Sequence, residues 1–148
     1  MTADLRSLYE EVILDHNRNP RNFQYAPPGT NRSAHGFNPL CGDEFTVHLK
    51  LENGVVTDIG FEGAGCAIST ASASLMTESI KGKTVEEASV LFEAVRSLLT
   101  MDASTGDLGK LQALAGVRAY PARVKCATLA WHTLQAALKG KEGTVSTE

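Results

Sequence analysis

The chain has 148 residues, of which 43% are hydrophobic and 21% charged, and its formal net charge is -3. These values are typical of one globular domain, and they exclude the basic footprint of a nucleic-acid-binding protein. The sequence has no apolar run of the ~20 residues that span a bilayer. It also has no basic segment followed by an apolar stretch at its start, so it predicts a cytoplasmic protein without membrane contact.

The first predicted helix spans about residues 3–17, where apolar side chains recur on one helical face. We expect it to end before Pro20, because the residue that precedes a proline disfavours helix. Residues 22–30 are rich in proline and glycine, which indicates a loop.

A β region is predicted next. A short strand covers Arg32 to Phe37, and a second strand covers Phe45 to Leu51, where apolar and polar residues alternate. Asn53-Gly54 is a strong hairpin turn because both residues tolerate positive φ. The return strand runs from Val55 to Phe61. Its alternation predicts four side chains on one side, namely Val55, Thr57, Ile59 and Phe61.

The remaining sequence is predicted to be helical. One helix covers about residues 69–80, and Thr84 with Glu87 forms a capping box that opens the next one. Asp107 caps a short helix, the last helix covers about residues 122–139, and residues 141–148 form a loose tail. Residues 1–148 therefore predict a single α+β domain, in which a small three-stranded antiparallel sheet packs against several helices.

Three cysteines lie where predicted elements begin or end. Cys41 precedes the second strand, Cys66 lies between the return strand and a helix, and Cys126 is near the start of the last helix. A hairpin brings its two ends together at a strand spacing of ~4.8 Å, so Cys41 and Cys66 can share a site. The start of a helix favours thiolate, the form of cysteine that binds metal.

Asp43 is the best fourth ligand, because Gly42 lets the backbone turn tightly between it and Cys41. A carboxylate oxygen is a suitable zinc ligand. The four histidines fit such a site less well, since their spacing from the cysteines directs them elsewhere. A free cysteine is also often a small buried hydrophobe. From spacing alone, a shared metal site and three unconnected cysteines both remain open.

Four segments resemble the U-type iron–sulfur assembly proteins, the family of IscU, SufU and the N-terminal domain of NifU. Residues 13–22 resemble the opening of that family, and Asn38-Pro39-Leu40-Cys41-Gly42-Asp43 resembles its first cysteine motif. Residues 65–78 are similar to the second cysteine motif and residues 120–131 to the third. The resemblance covers essentially residues 5–139.

Three features resemble the SufU branch of the family. Lys125 replaces the histidine that IscU-type scaffolds carry before the third cysteine. Residues 121–125 differ from their Pro-Pro-Val-Lys segment, and residues 83–114 form a longer stretch. The resemblance implies a zinc ion whose ligands are Cys41, Asp43, Cys66 and Cys126. It also implies a partner, a PLP-dependent cysteine desulfurase of the SufS type.

The resulting hypothesis is a zinc-dependent sulfurtransferase that works with the desulfurase and has no turnover on its own. Cys41 is the predicted persulfide acceptor, because a glycine-flanked turn moves more easily than a helix. The sulfur then passes to downstream iron–sulfur assembly proteins. Arg123 either supports the thiolate or persulfide, or is an ordinary solvated arginine at a helix start.

Two other functions remain open at this stage. The same four ligands could hold iron or a transient 2Fe–2S cluster, which would make the protein an assembly scaffold. A closed cysteine-rich site can also be purely structural, which would make the protein a zinc module that only binds other proteins.

Overall fold

The computed structural model describes residues 2–39, 42–100, 109–140 and 144–146. The regular elements follow in chain order: α1 (Thr2–Arg18), β1 (Arg32–Asn38), β2 (Asp43–Glu52), β3 (Val55–Ala64), α2 (Ala67–Ile80), α3 (Val85–Thr100), a 3-10 helix (Gly109–Ala119), α4 (Pro121–Leu138) and β4 (Thr144–Ser146). Within these ranges, no helix has both the length and the apolar character needed to cross a membrane.

The sheet has the strand order β3-β2-β1-β4. The two pairings β1–β2 and β2–β3 are antiparallel, which confirms the predicted three-stranded antiparallel sheet. Asn53 and Gly54 form the predicted hairpin turn, with φ values of 52° and 77°. The last strand, β4, was not predicted from the sequence. It pairs parallel to β1, with Val145 opposite Gly36. The prediction of a loose tail is therefore wrong for residues 144–146.

A β-bulge in the hairpin changes which side chains of β3 are buried. The register shifts between Lys50 and Leu51, so that Leu51 pairs with Val56. Val56 is consequently buried and Thr57 exposed, which reverses the prediction from simple alternation. Beyond the bulge the alternation resumes, and Ile59 and Phe61 lie on the same side of the strand, as predicted, where both are fully buried.

The core lies between one face of the sheet and the helices. Helix α4 contacts β1 and β2, while α2 packs between α1 and α4. Three large aromatic side chains, Phe45, Phe61 and Trp131, are at most 1% exposed. The indole Nε1 of Trp131 donates to Ser72 Oγ (3.1 Å), and Ser72 Oγ donates to the carbonyl of Ala127 (2.6 Å). These bonds hold the middle of α4 against α2.

Helix boundaries agree closely with the sequence where a capping signal is present. Thr84 and Glu87 form the predicted capping box, in which Thr84 N donates to Glu87 Oε1 (3.0 Å) and Glu87 N donates to Thr84 Oγ1 (3.1 Å). The predicted short helix takes the 3-10 form. Asp107, its predicted cap, lies outside the described residues.

Candidate metal centre

Three chain segments meet at the open end of the β2–β3 hairpin. Asp43 is the first residue of β2, and Cys66 follows the end of β3 by two residues. Pairing of Glu44 with Ala64 keeps these two strand ends together. Helix α4, which crosses β1 and β2, brings Cys126 to the same place. The expectation that the two ends of the hairpin lie together therefore holds for Asp43 and Cys66.

The ligand atoms of Asp43, Cys66 and Cys126 all lie within 4.8 Å of one another. Cys66 Sγ lies 3.8 Å from Asp43 Oδ2. Cys126 is 0% exposed and Asp43 1% exposed, whereas Cys66 is half-buried. A carboxylate that is buried this completely needs a cation or hydrogen-bond donors next to it.

Cys66 has a structural as well as a chemical position, because it is the N-cap residue of α2. Its backbone is extended (φ -68°, ψ 170°), and its Sγ accepts a hydrogen bond from Ser69 N at 3.4 Å. Its own N–H donates to Asp43 Oδ1 at 2.9 Å. The helix start therefore holds the sulfur in place and directs an amide donor at the carboxylate.

Sequence reasoning missed Ser69, whose hydroxyl contacts all three segments of the site. Ser69 Oγ donates to Asp43 Oδ2 (2.5 Å), and it lies 3.1 Å from the carbonyl oxygen of Cys126 and 3.4 Å from Cys66 Sγ. One signal could have found it: Ser69 stands three residues after Cys66, which is the spacing of a helix cap.

Asn38 was also missed, although it is fully buried beside the site. Its Nδ2 lies 3.9 Å from Cys126 Sγ, and its backbone carbonyl accepts a hydrogen bond from Gly42 N (2.8 Å). An amide donor near a sulfur stabilises the thiolate. Nothing in the local sequence distinguishes this asparagine from an ordinary residue before a proline.

Two predicted site residues are not part of the described cluster. Cys41 lies outside the described residues, although Gly42 next to it has φ 71° and leads directly into Asp43. Arg123 lies in the first turn of α4 with an exposed side chain, three residues before Cys126.

Sequence spacing disfavours the four histidines as metal ligands, and in the structure each of them contacts a residue outside the cluster of Asp43, Cys66 and Cys126. These are Ser74 Oγ at 2.7 Å for His16, Glu44 Oε1 at 2.8 Å for His35, Ser33 Oγ at 2.8 Å for His48 and the ring of Phe92 for His132. Among the described residues, the one group that could hold a metal is Asp43, Cys66 and Cys126.

These donors fit a zinc ion. Zinc takes sulfur at about 2.3 Å and carboxylate oxygen at about 2.0–2.2 Å in a tetrahedral arrangement. The 3.8 Å between Cys66 Sγ and Asp43 Oδ2 is compatible with both atoms on one such ion. Two thiols and one carboxylate leave a fourth position for another ligand.

A polar pocket of about 570 Å³ lies on the face of the sheet that points away from the core. His35, Glu44, Thr46 and Glu62 contribute to its lining, and Gly42 is at the edge that adjoins Asp43. Asp43, Cys66 and Cys126 do not line this pocket, and of these three residues Cys66 is the partly exposed one.

Comparison with known proteins finds relatives of one family. Residues 8–127 match the family model described as NifU-like N terminal domain. The chain is 44% identical to the zinc-dependent sulfurtransferase SufU of Bacillus subtilis, over 95% of this chain and 96% of that protein. It is also 44% identical to the iron–sulfur cluster assembly scaffold protein IscU of Thermotoga maritima, over 90% of this chain and 94% of that protein.

Solved structures show the same fold. A candidate iron–sulfur cluster assembly scaffold protein for the SUF system, from Fervidobacterium islandicum AW-1, superposes with a TM-score of 0.77. The two chains are 33% identical, and the match covers 90% of this chain and 98% of the other. The α+β architecture predicted from the sequence is therefore confirmed.

Proposed function

Since this chain belongs to the family of NifU-like N-terminal domains, we propose that it accepts sulfur from a cysteine desulfurase and delivers it for iron–sulfur cluster assembly. The iron–sulfur assembly family predicted from the sequence is confirmed. The observation that carries the proposal is the buried cluster of two thiols and one carboxylate at the open end of the hairpin. Such a cluster suits an ion that keeps sulfur in its reactive form.

Zinc is the proposed resident metal, and Cys41, Asp43, Cys66 and Cys126 are its proposed ligands. The name of the Bacillus subtilis relative, a zinc-dependent sulfurtransferase, supports this choice of metal. When it is bound, zinc supplies positive charge that keeps the ligand thiols deprotonated at neutral pH and protects them from oxidation.

Cys41 is the proposed acceptor, and the contacts of the other two cysteines support this assignment. Cys66 Sγ accepts the hydrogen bond that caps α2, so its departure would free a helix N–H. Cys126 is fully buried, and its Sγ lies next to the buried side chain of Asn38. A persulfide needs space and access, and neither helical position offers both.

The transfer is a thiol–persulfide exchange. The Cys41 thiolate attacks the outer sulfur of the desulfurase persulfide. The sulfur–sulfur bond on the desulfurase breaks, its cysteine leaves as a thiolate, and Cys41 carries the new persulfide. No external oxidant or reductant is needed, and the protein has no turnover without the desulfurase. We propose that Arg123 supports the negative charge of this persulfide from the exposed first turn of α4.

The proposed partner is a PLP-dependent cysteine desulfurase of the SufS type, with downstream iron–sulfur assembly proteins as receivers of the sulfur. The half-buried Cys66 keeps the site partly accessible to such a partner. We place the reaction in the cytoplasm, because thiolate ligands and a persulfide acceptor suit a reducing compartment.

The second candidate function is an assembly scaffold that holds a transient 2Fe–2S cluster. The IscU relative of Thermotoga maritima, at the same 44% identity, favours it. The ligand set is chemically suitable for either role, because cysteine thiolates also hold iron–sulfur clusters. The two functions differ in the metal that the purified protein carries.

The first experiment determines that metal, by elemental analysis and X-ray absorption at the metal edge. Sulfur transfer predicts about one zinc per chain with three sulfur ligands and one oxygen ligand. Iron with bridging sulfide, or an empty site that builds a stable cluster on reconstitution, would support the scaffold instead.

The second experiment locates the sulfur. The zinc protein is incubated with a SufS-type desulfurase and cysteine, and persulfides are mapped by mass spectrometry. We expect a persulfide on Cys41 of the wild-type protein and none in the Cys41→Ser variant. A control reaction without desulfurase should give no persulfide. A persulfide found on Cys66 or Cys126 of the wild-type protein would refute Cys41 as the acceptor.

A further inference from the structure

We propose that Ser69 is a positioning residue of the metal centre: its hydroxyl holds the Asp43 carboxylate in the orientation in which it shares an ion with Cys66 and Cys126. This inference rests on the proposed function, because it concerns the site that would hold zinc. It adds a residue that is itself no ligand but determines how well one ligand binds.

The hydroxyl of Ser69 has one proton, and the distances indicate where that proton goes. Of its neighbours, Asp43 Oδ2 is closest at 2.5 Å, while the carbonyl oxygen of Cys126 is at 3.1 Å and Cys66 Sγ at 3.4 Å. A hydroxyl–carboxylate bond of about 2.5–2.7 Å is in the range of charge-assisted hydrogen bonds, which are among the strong ones. Ser69 therefore donates to Asp43.

Two donors together fix the carboxylate. Cys66 N–H donates to Oδ1 at 2.9 Å, and the Ser69 hydroxyl donates to Oδ2. Rotation of the carboxylate about its Cβ–Cγ bond would break both bonds at once. With the hydroxyl removed, the Cys66 amide still holds Oδ1, but Oδ2, the oxygen that lies 3.8 Å from Cys66 Sγ, loses this donor.

Burial increases the expected effect of losing the hydrogen bond between Ser69 and Asp43. Ser69 is 0% exposed and Asp43 1% exposed, so bulk water has little access to replace the lost hydrogen bond. Groups that hydrogen-bond to metal ligands orient those ligands, and their removal costs about 10–100-fold in metal affinity. We expect a loss of this size for zinc binding when Ser69 loses its hydroxyl.

The chain offers a matched control in the same helix. Ser72 is also 0% exposed; its hydroxyl donates to a carbonyl of α4, that of Ala127 (2.6 Å), and accepts from the indole Nε1 of Trp131 (3.1 Å). Both hydroxyls thus lie within 3.1 Å of a backbone carbonyl oxygen of α4, but Ser69, unlike Ser72, also contacts Asp43 and Cys66. The variants Ser69→Ala and Ser72→Ala therefore each remove a buried hydroxyl at the contact of α2 with α4, and they differ in the contact to the proposed ligands.

The test measures the zinc Kd of wild type, Ser69→Ala and Ser72→Ala by competition with a chromophoric chelator. We expect Ser69→Ala to weaken binding about 10–100-fold, and Ser72→Ala to change it much less. The visible bands of the cobalt-substituted proteins provide a second readout, and they should change in Ser69→Ala alone. Equal Kd values for Ser69→Ala and wild type, or equal losses in both variants, would overturn the proposal.

A double-mutant cycle tests whether Ser69 acts through Asp43. In an Asp43→Ala background the carboxylate is gone, so the further change Ser69→Ala should leave the zinc Kd as it is. An undiminished effect of Ser69→Ala in that background would refute the positioning role. Alanine is the best helix former, and the Ser69 backbone N–H that caps onto Cys66 Sγ is retained, so the variant is expected to fold.

Failure of the proposed function has a different signature. If wild-type protein does not bind zinc or does not accept sulfur, the sulfur-transfer proposal fails before any Ser69 variant is compared. If wild type binds zinc and accepts sulfur while Ser69→Ala equals Ser72→Ala, the inference about Ser69 fails alone.

Discussion

Gly36 shows how single small residues allow α4 to lie directly on the sheet. A Cβ atom at this position of β1 would overlap the Thr133 hydroxyl and come within 3.2 Å of Leu129 Cδ1. The Thr133 hydroxyl cannot move freely, because it donates to the carbonyl of Leu129 (2.8 Å) within the same helix. The close approach of α4, which also carries Cys126, thus depends on a missing side chain.

We therefore expect Gly36→Ala to lower the free energy of unfolding by about 1–3 kcal/mol, the usual cost of overpacking. Urea denaturation followed by circular dichroism measures the change. The double variant Gly36→Ala with Thr133→Ala removes the overlapping hydroxyl, so it should recover part of the loss. A Gly36→Ala protein as stable as wild type would show that α4 can shift without cost.

At the scale of single residues, the sequence predicted three members of the candidate metal cluster but not the residues that hydrogen-bond to them. The positions of Asp43 and Cys66 follow from hairpin geometry, because the two ends of a hairpin must meet. The roles of Ser69 and Asn38 depend on which of many serine and asparagine side chains the fold turns toward the site. Local sequence does not carry that information, since the partners of Asn38 and Ser69 lie 88 and 26 residues away.

Helices α3 and α4 meet through an aromatic pair in which one ring can be charged. The rings of Phe92 and His132 pack edge to face, with centroids 5.3 Å apart. Burial lowers the pKa of His132 below its ordinary value of about 6.5, and the positive charge of Arg96 lowers it further, while Glu93 raises it. The folded protein therefore favours the neutral imidazole.

The sign of the pH effect follows from this direction. Just below pH 6.5 the unfolded chain binds more protons at this histidine than the folded chain, so stability rises with pH there. The contribution of neutral His132 to the free energy of unfolding is complete above the pKa that the residue has in the unfolded chain. It is lost as the pH falls toward the lower pKa that His132 has in the folded protein. We expect His132→Gln to flatten the dependence of Tm on pH between about pH 5 and pH 7.

Arg96→Gln serves as the matched control, because it removes the charge that disfavours protonation of His132. This variant should raise the pKa of His132 and flatten the same curve, but less than His132→Gln does. An unchanged slope in His132→Gln would mean that other groups determine the acid sensitivity in this range.

Elements were predictable where the chain carries its own boundary signal. The capping box of Thr84 and Glu87 gave the start of α3, and Asn53-Gly54 gave the hairpin turn. The bulge at Lys50 and Leu51 was not predictable from alternation, because it inserts an extra residue that shows up only when both strands are paired. Two side chains of β3 were assigned to the wrong face for this reason.

The molecule as a whole has a core that does not depend on the metal centre. One cluster of buried apolar residues extends through the sheet, α2, α3, α4 and the 3-10 helix. Its largest members, among them Trp131 and Phe45, are fully buried. A small domain with a core of this kind does not need a metal to fold, unlike a zinc finger.

Chelation of the metal should therefore lower Tm but leave the protein folded at room temperature. Binding to the native state alone stabilises by about 2.7 kcal/mol when free zinc is 100 times Kd. Calorimetry with and without chelator measures the shift, and circular dichroism checks the fold. Unfolding on chelation at room temperature would favour a structural zinc module over sulfur transfer.

The three-stranded sheet and its helices were predictable because their apolar periodicity is strong. The strand β4 was not, because Thr144–Ser146 is too short to show any pattern and its partner β1 lies more than 100 residues earlier in the chain. Pairing of such distant segments depends on the tertiary structure and not on local preference.

The position of β4 has a practical consequence for handling the protein. The strand lies alongside His35, Gly36 and Phe37 of β1, a few residues before the proposed sulfur acceptor. An affinity tag, a fluorophore or an immobilising linker attached after residue 148 would follow β4 closely in the chain. Engineered versions for desulfurase assays should therefore carry their labels elsewhere, or have the label cleaved off before use.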